Sequence, residues 1–94
     1  EGNLSLINPV FSYEDGNLIL VASLFNEYEK TVNIQAVQII VKNEQEEVVQ
    51  GVFNIEALIA PGKTLEHRFE FPLESEPELE GLIAEFIPDY SFAG

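Results

Sequence analysis

Short apolar runs rich in β-branched and aromatic residues, turn residues at near-regular spacing between them, and one strictly alternating segment together predict an all-β fold. The expected architecture is an antiparallel two-sheet sandwich of about seven strands. With 94 residues the chain has room for a single hydrophobic core, so one domain over 1–94 is expected.

The elements follow in order. Leu4-Ser5-Leu6-Ile7 begins a first strand, and Pro9 removes a ladder donor, which an edge strand or a break between two half strands can tolerate. Glu14-Asp15-Gly16-Asn17 is the strongest local signal, because Asp-Gly accepts the positive φ values of a tight hairpin turn. Leu18 to Phe25 is apolar at both parities, the pattern of a central strand covered on both faces. A polar turn, Asn26 to Lys30, comes next. Val32, Ile34 and Ala36 then give way to Val37, Ile39 and Val41, so the inward parity flips at Ala36-Val37 and a bulge or strand break belongs there. Beyond the turn Asn43 to Glu47, the run Val48, Val49, Val52, Phe53 surrounds Gly51, a candidate second bulge. Ile55 to Ile59 reads as a crossover between sheets, with a short strand as the rival reading. Ala60-Pro61-Gly62-Lys63 suits a type II turn, and Leu65, His67, Phe69 and Phe71 alternate with Glu66, Arg68 and Glu70 as in a half-buried strand ended by Pro72. After the Glu-rich loop Glu74 to Gly81, Leu82 to Ile87 supplies a last strand closed by Pro88. Leu20, Ile39, Phe69 and Phe71 are the expected core.

Composition restricts function more than it assigns it. Four Lys and Arg against 17 Asp and Glu give a net charge of -13, which repels nucleic-acid phosphates and anionic lipid head groups. No nucleic acid is expected as a partner, and no membrane insertion, since no apolar run reaches the roughly 18 residues of a spanning helix. At 46% hydrophobic the chain nevertheless holds enough apolar residues for a core, which places the acidity on the surface. Zero cysteines remove a disulfide framework, a thiolate zinc site and a cysteine nucleophile together. The start Glu1-Gly2-Asn3 lacks the basic and apolar regions of a signal peptide, and the absence of methionine suggests a module taken from a longer protein.

No residue set has the spacing of a catalytic, metal or cofactor site, so the expected catalytic, metal and cofactor sets are all none. His67, the single histidine, reads as a partly buried packing residue because no convergent ligand or nucleophile accompanies it. Ser5, Ser12, Ser23, Ser75 and Ser91 stand outside any Gly-x-Ser-x-Gly elbow. Glu74, Glu76, Glu78 and Glu80 form a solvated, self-repelling loop without the aspartates on which calcium loops rely; calcium ligation through loops brought together by folding stays open. Tyr13, Tyr28 and Tyr90 read as packing at sheet ends, carbohydrate contact being the rival. The sheet edges are a generic place for a partner strand, though interspersed Glu with Lys30, Lys42 and Lys63 also suits protection against pairing.

The run Gly16 to Asn26, then Val32 to Val37, Glu46 to Phe53, Ile59-Ala60-Pro61-Gly62 and Phe69-Glu70-Phe71, resembles the SLAP domain, named for S-layer assembly and the accessory Sec system of Gram-positive bacteria. It also resembles the immunoglobulin-like FxLYD modules of bacterial lipoproteins, which share an asparagine after the second strand and a Pro-Gly turn before a Phe-rich strand. The resemblance covers Asn17 to Phe71. It implies an immunoglobulin-like sandwich acting without catalysis as a cell-surface or secretion-associated structural or protein-interaction module, extracellular or cell-surface in location, with a protein partner. An ion- or ligand-binding accessory sandwich and a loop-presenting protease inhibitor are the alternatives.

Overall fold

The structure is a computed structural model describing residues 2–93; Glu1 and Gly94, the ends of the domain expected over 1–94, lie outside the described residues. Six strands form: β1 (Leu4–Glu14), β2 (Asn17–Asn26), β3 (Val32–Lys42), β4 (Glu47–Ile59), β5 (Thr64–Pro72) and β6 (Ile83–Phe92). They make two antiparallel sheets, ordered β1-β2-β5 and β4-β3-β6, and no helix occurs among the described residues. This order corresponds to strands A-B-E facing C′-C-F of an immunoglobulin-type sandwich. Strands of nine to thirteen residues give the molecule its elongated shape, 44 × 22 × 17 Å.

The six strands among the described residues compare with about seven expected, and Asn8 explains the difference. Its φ of 54° absorbs one extra residue between Ile7↔Ser23 and Val10↔Val21, so β1 continues past Pro9 as a single bulged strand along β2. Asp15 (φ 51°) and Gly16 (φ 79°) make the two-residue turn that brings Glu14 opposite Asn17, as the Asp-Gly signal requires.

The parity flip in β3 is present, with Val32 and Ile34 buried before it and Val37, Ile39 and Val41 after it. Relative to β6, the extra residue is Gln35, since Ile34↔Tyr90 is followed directly by Ala36↔Asp89. Against β4 the extra residue lies on the other side, at Ile55–Glu56, where Glu56 has φ 54°. Two expectations fall with this observation. Ile55 to Ile59 is no crossover but the end of β4, paired as far as Val32↔Ile59. Gly51 is no bulge either, because Ile39↔Gly51 lies in unbroken register, and the second irregularity comes at Val41/Lys42. Gly51 instead makes room: a Cβ there would stand 3.1 Å from the Phe53 ring and 3.6 Å from Phe71.

Pro88 does not close the last strand. β6 runs through it in register with Val37 and continues to Phe92. β6 is an edge strand, where a missing N–H can fall on the unpaired side.

The core lies between the sheets. Leu18, Leu20, Ala22 and Leu24 of β2 and Phe69 and Phe71 of β5 face Val32, Ile34, Val37, Ile39 and Val41 of β3. The Phe53 ring meets Phe69 and Phe71 edge-on, with centroids 5.0 and 5.2 Å apart, and so links the two sheets. All four expected core residues, Leu20, Ile39, Phe69 and Phe71, are buried.

Candidate functional site

His67, Tyr13, Tyr28 and Tyr90 each pack against or hydrogen-bond to other parts of the fold. His67 pairs with Ala22 and tilts against Phe69 at 4.7 Å between ring centroids; burial pushes its pKa below the ordinary 6.5. The Tyr13 hydroxyl donates to the Leu73 carbonyl at 2.6 Å and fastens the end of β1 to the segment leaving β5. Tyr28 and Tyr90 share a hydroxyl–hydroxyl hydrogen bond of 2.7 Å, and the edge of Phe92 packs on Tyr28 at 4.9 Å. That hydrogen bond, then burial and the neighbouring charge of Tyr28, raises the Tyr90 phenol above its ordinary 10.0. Lys30 stands 5.7 Å over the Phe92 ring, closing this aromatic cluster at one end of the sandwich.

At the opposite end, folding brings the Glu-rich loop to the β3–β4 turn: Glu78 and Glu80 line an open depression with Asn43, Glu44 and Gln45. Asn43 organises that turn, its Oδ1 accepting from the N–H groups of Gln45 and Glu46 at 2.8 and 2.9 Å. Among the described residues, no three His, Asp or Glu side chains are placed to hold a metal ion.

Asn26 is the residue that sequence reasoning placed wrongly. Expected in a polar turn, it is fully buried, with Nδ2 donating to the Lys30 and Ile59 carbonyls at 2.8 and 2.9 Å and Oδ1 accepting from the Tyr28 N–H at 2.8 Å. Its backbone carbonyl accepts from Gly62 N–H at 2.8 Å, so the Pro-Gly turn hangs on the same residue. The asparagine after the second strand carried this signal in the family resemblance.

The outer face of β4-β3-β6 carries several exposed aliphatic residues. β4 alternates strictly there, turning Gln50, Val52, Asn54 and Leu58 outward, and register sets Gln38 between Val52 and Ile87 and, in the next row, Ile40 between Gln50 and Glu85. Val52 is 69% exposed, Ile83 57% and Ile87 51%, with Ile40 half-buried among them. The polar groups between them are paired with each other. Gln38 donates to Gln50 at 2.8 Å, Gln50 to Glu47 at 3.1 Å, and Lys42 bonds Glu85 at 2.8 Å. The sequence reading looked to the sheet edges and missed this face; the outward alternation Gln50, Val52, Asn54 was the available signal.

No family model and no curated protein matches the chain. Among solved structures, a protein from Archaeoglobus fulgidus, known by its crystal structure, superposes with a TM-score of 0.51 over 98% of both chains at 9% identity. At that identity the likeness is one of fold alone.

Proposed function

We propose that this domain is a non-catalytic protein-interaction module that binds through the outer face of β4-β3-β6. The observation that carries the reading is the set of exposed or half-buried aliphatic residues Ile40, Val52, Ile83 and Ile87, interspersed on this face with polar side chains bonded to one another, with Leu58 exposed further along β4. An apolar centre within a polar rim is the anatomy of protein interfaces, and exposed aliphatic groups collected on one face mark interaction surfaces. A bacterial cell-surface or secretion-associated setting belongs to the same reading and is supported by the resemblance to SLAP and FxLYD modules.

A photo-crosslinking residue in place of Val52, compared with one in place of Val10 on the other sheet, tests this in the native cell. The expected result is one discrete protein adduct at Val52, competed by the unlabelled domain and not by its Ile87→Ser variant. Equal labelling at both positions overturns the reading.

A further inference from the structure

The two sheets treat outward-facing aliphatic residues differently. On β1-β2-β5, Ile19 points outward in register between Ser12 and Glu70 yet is only 3% exposed. Arg68 of β5 bonds Glu70 at 2.8 Å and reaches across β2 to Glu14 of β1 at 3.9 Å, so a charged strap spans that face. On β4-β3-β6 the single cation, Lys42, is turned aside into its bond with Glu85 and leaves the aliphatic group open. Acidic groups flank this opening: Glu47 toward one end, Glu56 and Asp89 toward the other, with Glu44, Glu78 and Glu80 in the adjoining loops.

From this arrangement we infer that the face takes a cationic protein segment that sets aliphatic side chains against Val52, Ile40 and Ile87 while its lysine or arginine residues meet the acidic rim. The inference rests on the interaction reading above and adds the chemistry of the partner. Charge complementarity selects this occupant: a second copy brings another -13 to the same acidic rim, whereas a basic segment neutralises it and is steered toward it. The aliphatic centre supplies the non-ionic part of binding, because apolar area leaves water there.

Three capped peptides of equal length serve as probes, alternating lysine with valine, glutamate with valine, and lysine with serine. Each is titrated into the nitrogen-15-labelled domain at low and physiological ionic strength. The lysine–valine peptide is expected to shift the amides of Gln38, Ile40, Gln50, Val52, Glu85 and Ile87, more tightly at low salt. The combined Val52→Ser and Ile87→Ser variant should weaken binding about tenfold or more, with Val10→Ser without effect. Both substituted side chains are exposed, and unchanged shifts elsewhere report that the fold is kept. Equal binding of the glutamate–valine peptide on this face overturns the cationic inference and leaves the interaction reading standing. Equal effects of the lysine–serine peptide on this face, lysine–valine shifts confined to residues 74–81, or no binding overturn the inference as well. Sedimentation showing a dimer through this face overturns it in favour of a second copy.

Discussion

The side-chain amide of Asn26 donates a 2.9 Å hydrogen bond to the backbone carbonyl of Ile59, tying the end of β2 in one sheet to the end of β4 in the other. The same amide holds Lys30, and its oxygen holds Tyr28, so a single buried polar side chain fixes the β2–β3 connection and the closing turn of β4. Removing it orphans a buried carbonyl, which costs about 1–3 kcal/mol, beyond the loss of the bonds themselves. Asn26→Ala should lower stability by about 2–3 kcal/mol in urea melts. Asn26→Asp should be at least as damaging, since it sets a carboxylate against two carbonyl oxygens. A loss under about 0.5 kcal/mol for the alanine variant would show that the clamp is not needed.

Phe69 meets Phe53 from the facing sheet on one side and His67 on the other, and no part of it reaches solvent. Phe69→Ala therefore leaves a cavity between the sheets and should cost about 3–5 kcal/mol. Phe53→Leu, which keeps a smaller apolar side chain but removes the edge-on contacts with Phe69 and Phe71, should cost about 1–2 kcal/mol. Denaturant melts with unchanged slope check both; a reversed order would place the inter-sheet contact elsewhere.

Much of the fold is legible in the residues because strand signals are local. Asp15-Gly16 announces its hairpin, Pro61-Gly62 its turn, and the flip at Ala36-Val37 its bulge, each from backbone preferences acting over two or three residues. The failures share one cause, the dependence of a residue's role on the strand beside it. Pro9 and Pro88 interrupt a lone strand but not a one-sided ladder, and Gly51 reads as a bulge until Phe53 and Phe71 are seen to need its space. The open face is hidden for the same reason. Ile40, Val52, Ile83 and Ile87 come from three strands and become one surface only in register.

Burial holds the His67 imidazole below its ordinary 6.5, so the folded chain resists the proton that the unfolded chain accepts. Between 6.5 and the lower folded midpoint the unfolded state binds more protons, and stability must rise with pH. This contribution is complete above 6.5 and is lost as the pH falls through that window. The imidazole carbon-bound proton resonances should titrate with a midpoint below 6.5, and His67→Gln should flatten the stability profile just below pH 6.5. A midpoint above 6.5 would contradict the packing of His67 against Phe69.

Arg68 joins two separable effects, charge and cover. Its ion pairs with Glu70 and Glu14 are exposed, so they contribute at most about 1 kcal/mol and weaken with salt, whereas an aliphatic stem lying over Ile19 would keep water from it at any ionic strength. Arg68→Met keeps most of the stem and removes the charge; Arg68→Ala removes both. At low salt, both variants should be less stable than the parent, because each loses one of four cations from a chain of net charge -13. In about 1 M sodium chloride, where the screening length is about 3 Å, Arg68→Met should return to the parent's stability. Arg68→Ala should stay about 1 kcal/mol below it, the value of the uncovered apolar area. Equal behaviour of the two variants at both salt concentrations would leave Ile19 buried by its strand neighbours alone, and the contrast between the two outer faces would then lie in Ser12 and Glu70 instead of Arg68.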